Sequence, residues 1–396
     1  MKKIAILVFF TVGFFVHVWA CTGLIAGKQA TVDGSVLVTY SADSHTLYGA
    51  LTSSPAADWP KGSMRSIVEW DTNKPLGEIE QVEHTYAVMG NMNEHQLTVV
   101  ESTWGGRPEL VDTTGIIDYG SLMQLALERA KTAREAIKVM TGLVKKYGYY
   151  SSGESFTIAD PNEAWILDLI GKGPGRRGAV WVAVRIPDDC IAGHANYPRI
   201  HKIPMDDKEN CLYSPDVISF AREMGYFDGL NKDFSFARAY SPADFGALRA
   251  CDARVWSFFR KYDSTMDNYL PYVNGESAEP FPLYVKPSRK LSVQDMKEAM
   301  RDHFEDTPFD MTQDVGAGPF KVPYRFRPMS FEVDGKSYCM ERAIATQQTG
   351  FTLVGQMRNW LPDPVGGVLW FGVDDANTCV YIPMYCGITP VSYTHL

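Results

Sequence analysis

A cysteine that directly follows an apolar N-terminal segment has the clearest chemical potential in this sequence. A lysine pair precedes an almost uninterrupted apolar run over residues 4–15, and Val18 and Ala20 occupy the −3 and −1 positions of a small-residue cleavage site before Cys21. The run is shorter than the roughly 18 to 20 residues of a membrane-spanning helix, so the pattern indicates a secretory signal peptide. We therefore expect removal of residues 1–20 and a secreted or periplasmic mature protein.

Cleavage after Ala20 would give Cys21 a free α-amine. Such an amine titrates at about 7.7–8.0 and a cysteine thiol at about 8.5, so near neutral pH the amine can accept the thiol proton. A thiolate is a strong nucleophile for covalent catalysis. One residue would then supply both the nucleophile and its general base.

Other chemistry at this cysteine is also conceivable. An apolar signal before Cys21 would suit a binding lipoprotein anchored through an acylated cysteine, although the bulky Trp19 is unusual in a lipidation motif. Acylation of the amine would also remove the proposed base. A Cys–His pair with His194 or His201 is a further alternative.

Metal and serine chemistry have little support. The sequence contains no His-Glu-x-x-His, Cys-x-x-Cys or Gly-x-Ser-x-Gly motif, so zinc peptidases, zinc ribbons and α/β-hydrolases lose their main signatures. The glycine-rich stretch 171–178 has neither dinucleotide-binding nor P-loop spacing and is predicted to be a loop between two strands. We expect no metal ion and no organic cofactor.

The bulk composition describes an ordinary globular protein. Hydrophobic residues make up 45% and charged residues 21% of 396 residues, and the net charge of −9 leaves no basic surface for nucleic acid. No apolar run beyond the signal is long enough to span a membrane, so no stable membrane partner is expected after its removal. The mature chain could form a homo-oligomer.

Seven cysteines in an exported chain give an odd number. With Cys21 kept free, the other six could form up to three disulfides or remain reduced, and their spacing does not rank the pairings.

The order of predicted elements favours a mixed α/β fold with mainly antiparallel sheets, because strands come first, helices follow, and strands return near the end. Asp33-Gly34 predicts a hairpin turn, and Thr132 with Glu135 predicts the start of a helix over Ala133–Tyr147. A second helix is predicted over Pro242–Tyr262 and a strand over Ala343–Gln348.

No linker divides the mature chain, and residues 21–390 are predicted to form one domain. The hexapeptide 391–396 matches what a common sequencing-adapter end encodes in one reading frame. We therefore expect a non-native tail over 391–396, with a C-terminally truncated native sequence ending near Pro390.

The sequence resembles the cysteine dipeptidases of the N-terminal-nucleophile (Ntn) hydrolase superfamily, which are relatives of choloylglycine hydrolases and penicillin V acylases. The matching segments extend in order over nearly the whole mature chain. They are Cys21-Thr22, Gly27-Lys28, Asp33-Gly34-Ser35, Asp43-Ser44, Asn93-Glu94, residues 156–165, residues 182–189, Ala195-Asn196, residues 347–350 and residues 366–372.

This resemblance implies an αββα four-layer sandwich with two stacked, mainly antiparallel sheets, in which the first strand places the N-terminal cysteine. It also implies hydrolysis of dipeptides through a thioester acyl-enzyme. An amidase acting on bile salts or penicillin V, with the same fold and nucleophile, is the alternative within the superfamily.

The resemblance further implies roles for individual residues. Cys21 matches the nucleophile, Asp43 matches a carboxylate near the active centre that could hold an ammonium group, and Asn196 matches an amide that donates to the oxyanion. Many family members carry arginine three residues before the aspartate, where this sequence has Tyr40, which could donate a hydrogen bond instead.

Two further residues are candidates for substrate contacts. Thr103 could supply an oxyanion or substrate contact, and Glu101 could bind a substrate amine.

Overall fold

The computed structural model describes residues 21–44, 49–325 and 330–388, without the side chains of residues 330, 331, 337 and 339. The predicted signal peptide and the predicted tail over 391–396 lie outside the described residues.

Two large sheets dominate the described chain. The strands in chain order are β1 (Thr22–Ala26), β2 (Val36–Asp43), β3 (Ser53–Ser54), β4 (Ala57–Asp58), β5 (Met64–Val68), β6 (Pro75–Glu80), β7 (His84–Thr85), β8 (Val88–Met89), β9 (Met92–Asn93), β10 (Thr98–Trp104), β11 (Gly153–Ala159), β12 (Ala164–Gly171), β13 (Ala179–Ile186), β14 (Ile191–His194), β15 (Cys211–Tyr213), β16 (Tyr284–Val285), β17 (Ser330–Val333), β18 (Lys336–Cys339), β19 (Thr349–Met357), β20 (Val368–Val373) and β21 (Ile382–Met384).

The helices lie mainly between the strand-rich parts of the chain. They are α1 (Tyr119–Arg129), α2 (Ala133–Tyr147), α3 (Val217–Glu223), α4 (Phe236–Tyr240), α5 (Ala253–Arg260), α6 (Leu270–Val273), α7 (Val293–Ala299) and α8 (Asp363–Gly366). Within the described ranges, no helix has the length and apolar character needed to cross a bilayer.

The first sheet, sheet A, has seven strands in the order β16-β14-β1-β2-β19-β20-β21, and the second, sheet B, has eight in the order β15-β13-β12-β11-β10-β9-β8-β3. Neighbouring strands in both sheets are antiparallel. The mixed α/β class with antiparallel sheets, predicted from the sequence, is confirmed.

Side-chain alternation along the strands divides the core into three layers. On β2, Val38 faces a cluster shared by both sheets, whereas Leu37 faces a cluster shared with α5 and α7. On β12, Ile166 faces the layer between the sheets, whereas Leu167 packs with α1 and α2. Because alternate residues of a strand point to opposite faces, these layers give the order helix, sheet, sheet, helix, as expected from the resemblance.

Several local predictions are confirmed. Gly34 has a φ of 83° in the turn before β2, which glycine adopts without the steric penalty of a Cβ. Thr132 accepts a hydrogen bond from the backbone N–H of Glu135 at 3.3 Å and caps α2, while Glu135 reaches the N–H of Lys131. The glycine-rich stretch 171–178 connects the antiparallel strands β12 and β13.

One element prediction is correct only in part and one is wrong. The helix predicted over Pro242–Tyr262 is present over residues 245–260, but it begins three residues later than predicted and contains a π-helical segment, Ala247–Asp252, that leads into α5. The strand predicted over Ala343–Gln348 is an irregular segment, and regular pairing begins at Thr349.

The six cysteines whose side chains are described are all free thiols, namely Cys21, Cys190, Cys211, Cys251, Cys379 and Cys386.

Candidate active site

Cys21 immediately precedes β1, which lies between β14 and β2 near the middle of sheet A. Its side chain belongs to the apolar layer between the two sheets, and the residue is 5% exposed. The Sγ atom lies 3.7 Å from the hydroxyl of Tyr40, which faces the same layer from β2. The predicted nucleophile is therefore held at the end of a central strand.

A chain of hydrogen bonds leads from the sulfur into sheet B. The Tyr40 hydroxyl donates to Glu101 on β10. Thr103, two residues along the same strand, donates from its hydroxyl to Glu154 on β11 at 2.6 Å. The second carboxyl oxygens of Glu101 and Glu154 are buried and have no hydroxyl, amide or cationic donor among the described residues.

The two glutamates interact with each other and differ in how strongly each holds a proton. Burial raises the pKa of Glu154 well above its usual value, and the negative charge of Glu101 raises it further. Burial also raises the pKa of Glu101, against hydrogen bonds from Tyr40 and from Glu154 that lower it. Glu154 is thus the member of the pair that more readily keeps its proton and donates, and Glu101 is the member that more readily becomes negatively charged.

The same environment disfavours a thiolate. Burial raises the pKa of Cys21 well above that of a free thiol, and the carboxylates of Glu101 and Asp43 raise it further. Hydrogen bonds from the backbone N–H of Asp43 and from Tyr40 lower the pKa of the thiol, but their effect is smaller. Since these groups keep the sulfur protonated, the thiol needs a base to become reactive.

Asp43, at the end of β2, is buried and accepts hydrogen bonds on both carboxylate oxygens. Its Oδ1 accepts from the Thr349 hydroxyl at 2.6 Å, and its Oδ2 accepts from Ser41 at 3.1 Å and from Arg342 at 2.5 Å. The ion pair between Arg342 and Asp43 is buried, since the exposed side-chain fractions are 4% for Arg342 and 0% for Asp43. Arg342 lies in the irregular segment before β19, far from Asp43 in sequence, and sequence analysis did not identify it.

Arg254 on α5 is the second cation that sequence analysis missed. Its Nη1 donates to the Cys21 carbonyl at 2.8 Å and to the Thr22 hydroxyl at 2.7 Å. Its Nη2 donates to the Ala195 carbonyl and to Asn196 Oδ1, and its Nε donates to the Ala250 carbonyl in the π-helical segment before α5. All five N–H donors are used, so the buried guanidinium ties the start of β1 to the end of β14.

Asn196 follows β14 and has a φ of 59°, a left-handed conformation in which asparagine is several-fold enriched. Its backbone N–H donates to Ser102 at 3.1 Å, and its side-chain Nδ2 donates to the Thr103 carbonyl at 2.5 Å. With Oδ1 accepting from Arg254, the amide has a fixed orientation.

The geometry does not favour a Cys–His pair. His194 is fully buried on β14, and its two ring nitrogens contact the hydroxyls of Ser102 at 2.6 Å and Thr157 at 2.9 Å. His201 contacts Ser235 through Nδ1. Neither histidine lines the cavity that contains the Cys21 sulfur.

A cavity with an empty volume of about 780 Å³, including solvent space at its mouth, lies over the sulfur. Four of the predicted site residues line it, namely Cys21, Tyr40, Asp43 and Glu101. Thr103 and Asn196 are outside this lining and connect to it through Glu154 and Arg254. The described lining contains carboxylates, aromatic rings and aliphatic side chains, but no lysine, arginine or histidine.

Several bacterial proteins named dipeptidases are similar to this chain over most of its length. The chain is 27% identical over 396 residues to a probable dipeptidase of Salmonella dublin, covering 93% of this chain and 81% of the relative. It is 25% identical to dipeptidase A of Lactobacillus helveticus, with 93% and 76% covered, and 23% identical to a dipeptidase of Bifidobacterium longum (strain NCC 2705), with 91% and 70% covered.

The model of Peptidase family C69 matches residues 20–395. This match begins next to the cysteine beneath the cavity and includes both large sheets, and it confirms the resemblance seen in the sequence. The chain belongs to Peptidase family C69 and is a peptidase.

Proposed function

We propose that this protein is an exported dipeptidase whose nucleophile is Cys21, made N-terminal by removal of residues 1–20. The observation that carries the proposal is the position of Cys21, which precedes a central strand and contributes to the wall of a cavity. Dipeptides are the substrate class because the similar proteins from Salmonella dublin and Lactobacillus helveticus are named dipeptidases. Export rests on the predicted signal peptide.

The α-amine of Cys21 is the proposed general base. Because burial and nearby carboxylates raise the pKa of the thiol, a separate basic group must accept the thiol proton before the sulfur can attack. The amine belongs to the same residue, and the hydrogen bond from Arg254 to the Cys21 carbonyl fixes the backbone from which both groups extend. In the uncleaved chain that nitrogen is an amide and cannot accept the proton.

The reaction then proceeds as acyl transfer. The thiolate attacks the carbonyl carbon of the dipeptide, and the second hydrogen of Asn196 Nδ2 donates to the oxyanion. The protonated amine of Cys21 returns its proton to the leaving nitrogen as the peptide bond breaks, which leaves a thioester. Water then attacks the thioester with the amine as base, and the first amino acid and the thiol are released.

Glu101 is the proposed acceptor for the substrate ammonium group. It is the member of the buried glutamate pair that more readily becomes negatively charged, and it lines the cavity beside the sulfur. Tyr40 orients it through the hydroxyl hydrogen bond, so the tyrosine positions a carboxylate where relatives carry an arginine. Thr103 supports the same pair through Glu154 and supports Asn196 through its carbonyl.

Asp43 is proposed to act on the nucleophile rather than on the substrate. Its backbone N–H reaches the sulfur and its carboxylate lies close enough to influence the thiol. Arg342, Thr349 and Ser41 hold the carboxylate. This fixed negative charge favours a protonated amine on Cys21 during attack.

Replacement of the nucleophile is the direct test. Purified Cys21→Ala should lose dipeptide hydrolysis while retaining its thermal unfolding profile, and Cys190→Ala, at a buried cysteine outside the cavity lining, should retain activity. Insertion of one alanine between Ala20 and Cys21 keeps the thiol but moves the free amine, and activity should again be lost. Hydrolysis by Cys21→Ala, or undiminished hydrolysis by the insertion variant, would refute the mechanism.

Mass spectrometry of the exported protein tests the starting point. An unmodified N-terminal Cys21 supports the enzyme, whereas added acyl mass would support the lipoprotein alternative. A panel containing dipeptides, penicillin V and a glycine-conjugated bile salt separates the dipeptidase from the related amidases. Turnover of the amides without turnover of any dipeptide would contradict the proposed substrate class.

A further inference from the structure

The cavity over Cys21 has a wall that belongs to neither large sheet. Strands β5 and β6 form a separate two-stranded hairpin, and Trp70 and Asp71 lie in its turn. Both residues line the cavity. The hairpin therefore adds an aromatic ring and a carboxylate to the space above the nucleophile.

The turn has a fixed position against α1. The backbone N–H of Trp70 donates to the side chain of Asp118, the residue that caps α1, at 2.8 Å. The side chain of Trp70 packs closely over Gly120, where an added Cβ would lie 2.6 Å from the tryptophan Cβ. Asp71 accepts a hydrogen bond from the Tyr119 hydroxyl at 2.9 Å. These contacts place the Asp71 carboxylate at the rim.

The carboxyl groups that line the cavity differ in whether a cationic side chain is paired with them. Arg342 pairs with Asp43. Glu101 accepts hydrogen bonds from Tyr40, from its glutamate partner and from the Cys21 thiol, and its buried Oε2 has no cationic donor among the described residues. Asp71 accepts a hydrogen bond from the Tyr119 hydroxyl, and the described lining of the cavity contains no cationic side chain. Two carboxyl groups without a cationic partner among the described residues are therefore available to a positively charged substrate.

The carboxylates determine which end of a dipeptide enters. The C-terminal carboxylate would be repelled by Glu101 and Asp71, whereas the N-terminal ammonium would be attracted. The α-nitrogen is separated from the attacked carbonyl carbon by a single atom, so it must lie near the sulfur, on the Glu101 side. The side chain of the same residue then extends toward the hairpin.

The path toward the hairpin suits a long aliphatic side chain with a terminal charge. Trp70, Met123 and Leu127 contribute apolar lining to the cavity, and Asp71, which lines the same cavity, is exposed to solvent. Lysine and arginine bury their methylene groups against apolar surface while their charged ends remain near water.

We infer that this cavity binds the N-terminal residue of the substrate and that Asp71 makes lysine and arginine the favoured residues at that position. The inference rests on the proposed dipeptidase function. Asp71 is here a specificity-determining residue that takes no part in bond cleavage.

The experiment compares Lys-Ala and Arg-Ala with norleucine-Ala, an uncharged substrate of similar shape. Assays at pH 8 keep Asp71 ionised, because removal from water raises its pKa to about 7. Wild-type kcat/KM should favour the basic substrates roughly threefold to tenfold, as expected for a partly exposed ion pair. Asp71→Asn should abolish that preference and leave norleucine-Ala within about twofold of wild type.

Two further variants make the result specific. Glu78→Gln removes a charge from β6 of the same hairpin, outside the cavity lining, and should leave the preference intact. Asp71→Lys should reverse it, so that Glu-Ala is cleaved better than Lys-Ala.

Equal effects of Asp71→Asn on charged and neutral substrates, or no wild-type preference, would overturn this inference alone. Failure of wild type to cleave any dipeptide would instead refute the proposed function.

Discussion

Glu101 shows at the residue scale how a buried charge can be kept available for a ligand. Because Glu154 more readily keeps its proton, the site does not have to bury two negative charges, and Tyr40 donates a hydrogen bond to one oxygen of Glu101. An unpaired buried carboxylate is costly, so a substrate ammonium that reaches Glu101 recovers part of that cost.

We predict that Glu101→Gln removes the discrimination between free and N-acetylated dipeptides. Glutamine keeps the shape and a hydrogen-bond acceptor but lacks the charge that attracts an ammonium. Wild type should cleave Ala-Ala at least tenfold faster than acetyl-Ala-Ala in kcat/KM, since loss of a buried charge pair exceeds 1.4 kcal/mol. In Glu101→Gln the ratio should fall close to one. A ratio unchanged from wild type would assign amine recognition to another group.

Arg254 acts on the protein rather than on the substrate. Arg254→Met should lower the free energy of unfolding by about 3 kcal/mol, because several buried acceptors would lose a charged donor. Urea unfolding measures this loss. A change below 1 kcal/mol would show that water replaces the guanidinium in these contacts.

The sequence identified the residues of the site that lie near recognisable motifs. Cys21 follows a cleavage pattern, and Asp43 and Asn196 lie in segments that resemble the family. Arg254 and Arg342 could not be found in this way, because each reaches its partner across more than 200 residues and neither belongs to a local motif. Their roles depend on how α5 and the segment before β19 pack against sheet A.

At the scale of elements, α1 and the β5–β6 hairpin together determine one side of the cavity. Gly120 permits their close approach, because Trp70 occupies the space that a side chain would need. A substitution there tests the position of the hairpin without altering a charged group.

We predict that Gly120→Ala displaces the hairpin turn, since its Cβ would meet both the Cβ and the ring of Trp70. The strain should cost about 1–3 kcal/mol of stability and raise KM for dipeptides more than it lowers kcat. Gly142→Ala on α2 is the matched control, because nothing lies within 4 Å of its added Cβ. That variant should gain up to about 1 kcal/mol from helix propensity. Equal behaviour of the two variants would contradict the packing argument.

Elements with local signals were predicted well, and elements governed by packing were not. The turn at Gly34 and the cap at Thr132 follow from short-range chemistry. The helix predicted from Pro242 forms from residue 245, but it contains an unpredicted π-helical segment over Ala247–Asp252, where Arg249 makes a long-range contact with Glu341. Sequence periodicity does not contain such tertiary contacts.

At the scale of the whole molecule, His194 connects the two sheets in the middle of the sandwich. It lies on β14 of sheet A and contacts Ser102 on β10 and Thr157 on β11 of sheet B. Burial lowers its pKa to about 3, and the charges of Arg254 and Arg199 contribute in the same direction. The ring is therefore neutral in the folded protein at ordinary pH.

This burial makes stability depend on pH. In the unfolded chain a histidine titrates near 6.5, so between about pH 6.5 and pH 3 the unfolded state binds a proton that the folded state does not. The free energy of unfolding must therefore fall as the pH falls through this window. Asp168 acts in the opposite direction, because burial raises its pKa to about 6 and its stabilising contribution is lost as the pH rises through that value.

We predict that replacing His194 with glutamine removes one component of the acid sensitivity. Between pH 7 and pH 5 the wild-type free energy of unfolding should decrease by about 2 kcal/mol more than that of His194→Gln. Urea unfolding of both proteins at the two pH values gives this difference, in which the contribution of Asp168 cancels. Parallel pH profiles would show that protonated His194 is tolerated between the sheets, and the neutral ring would then not be required for their association.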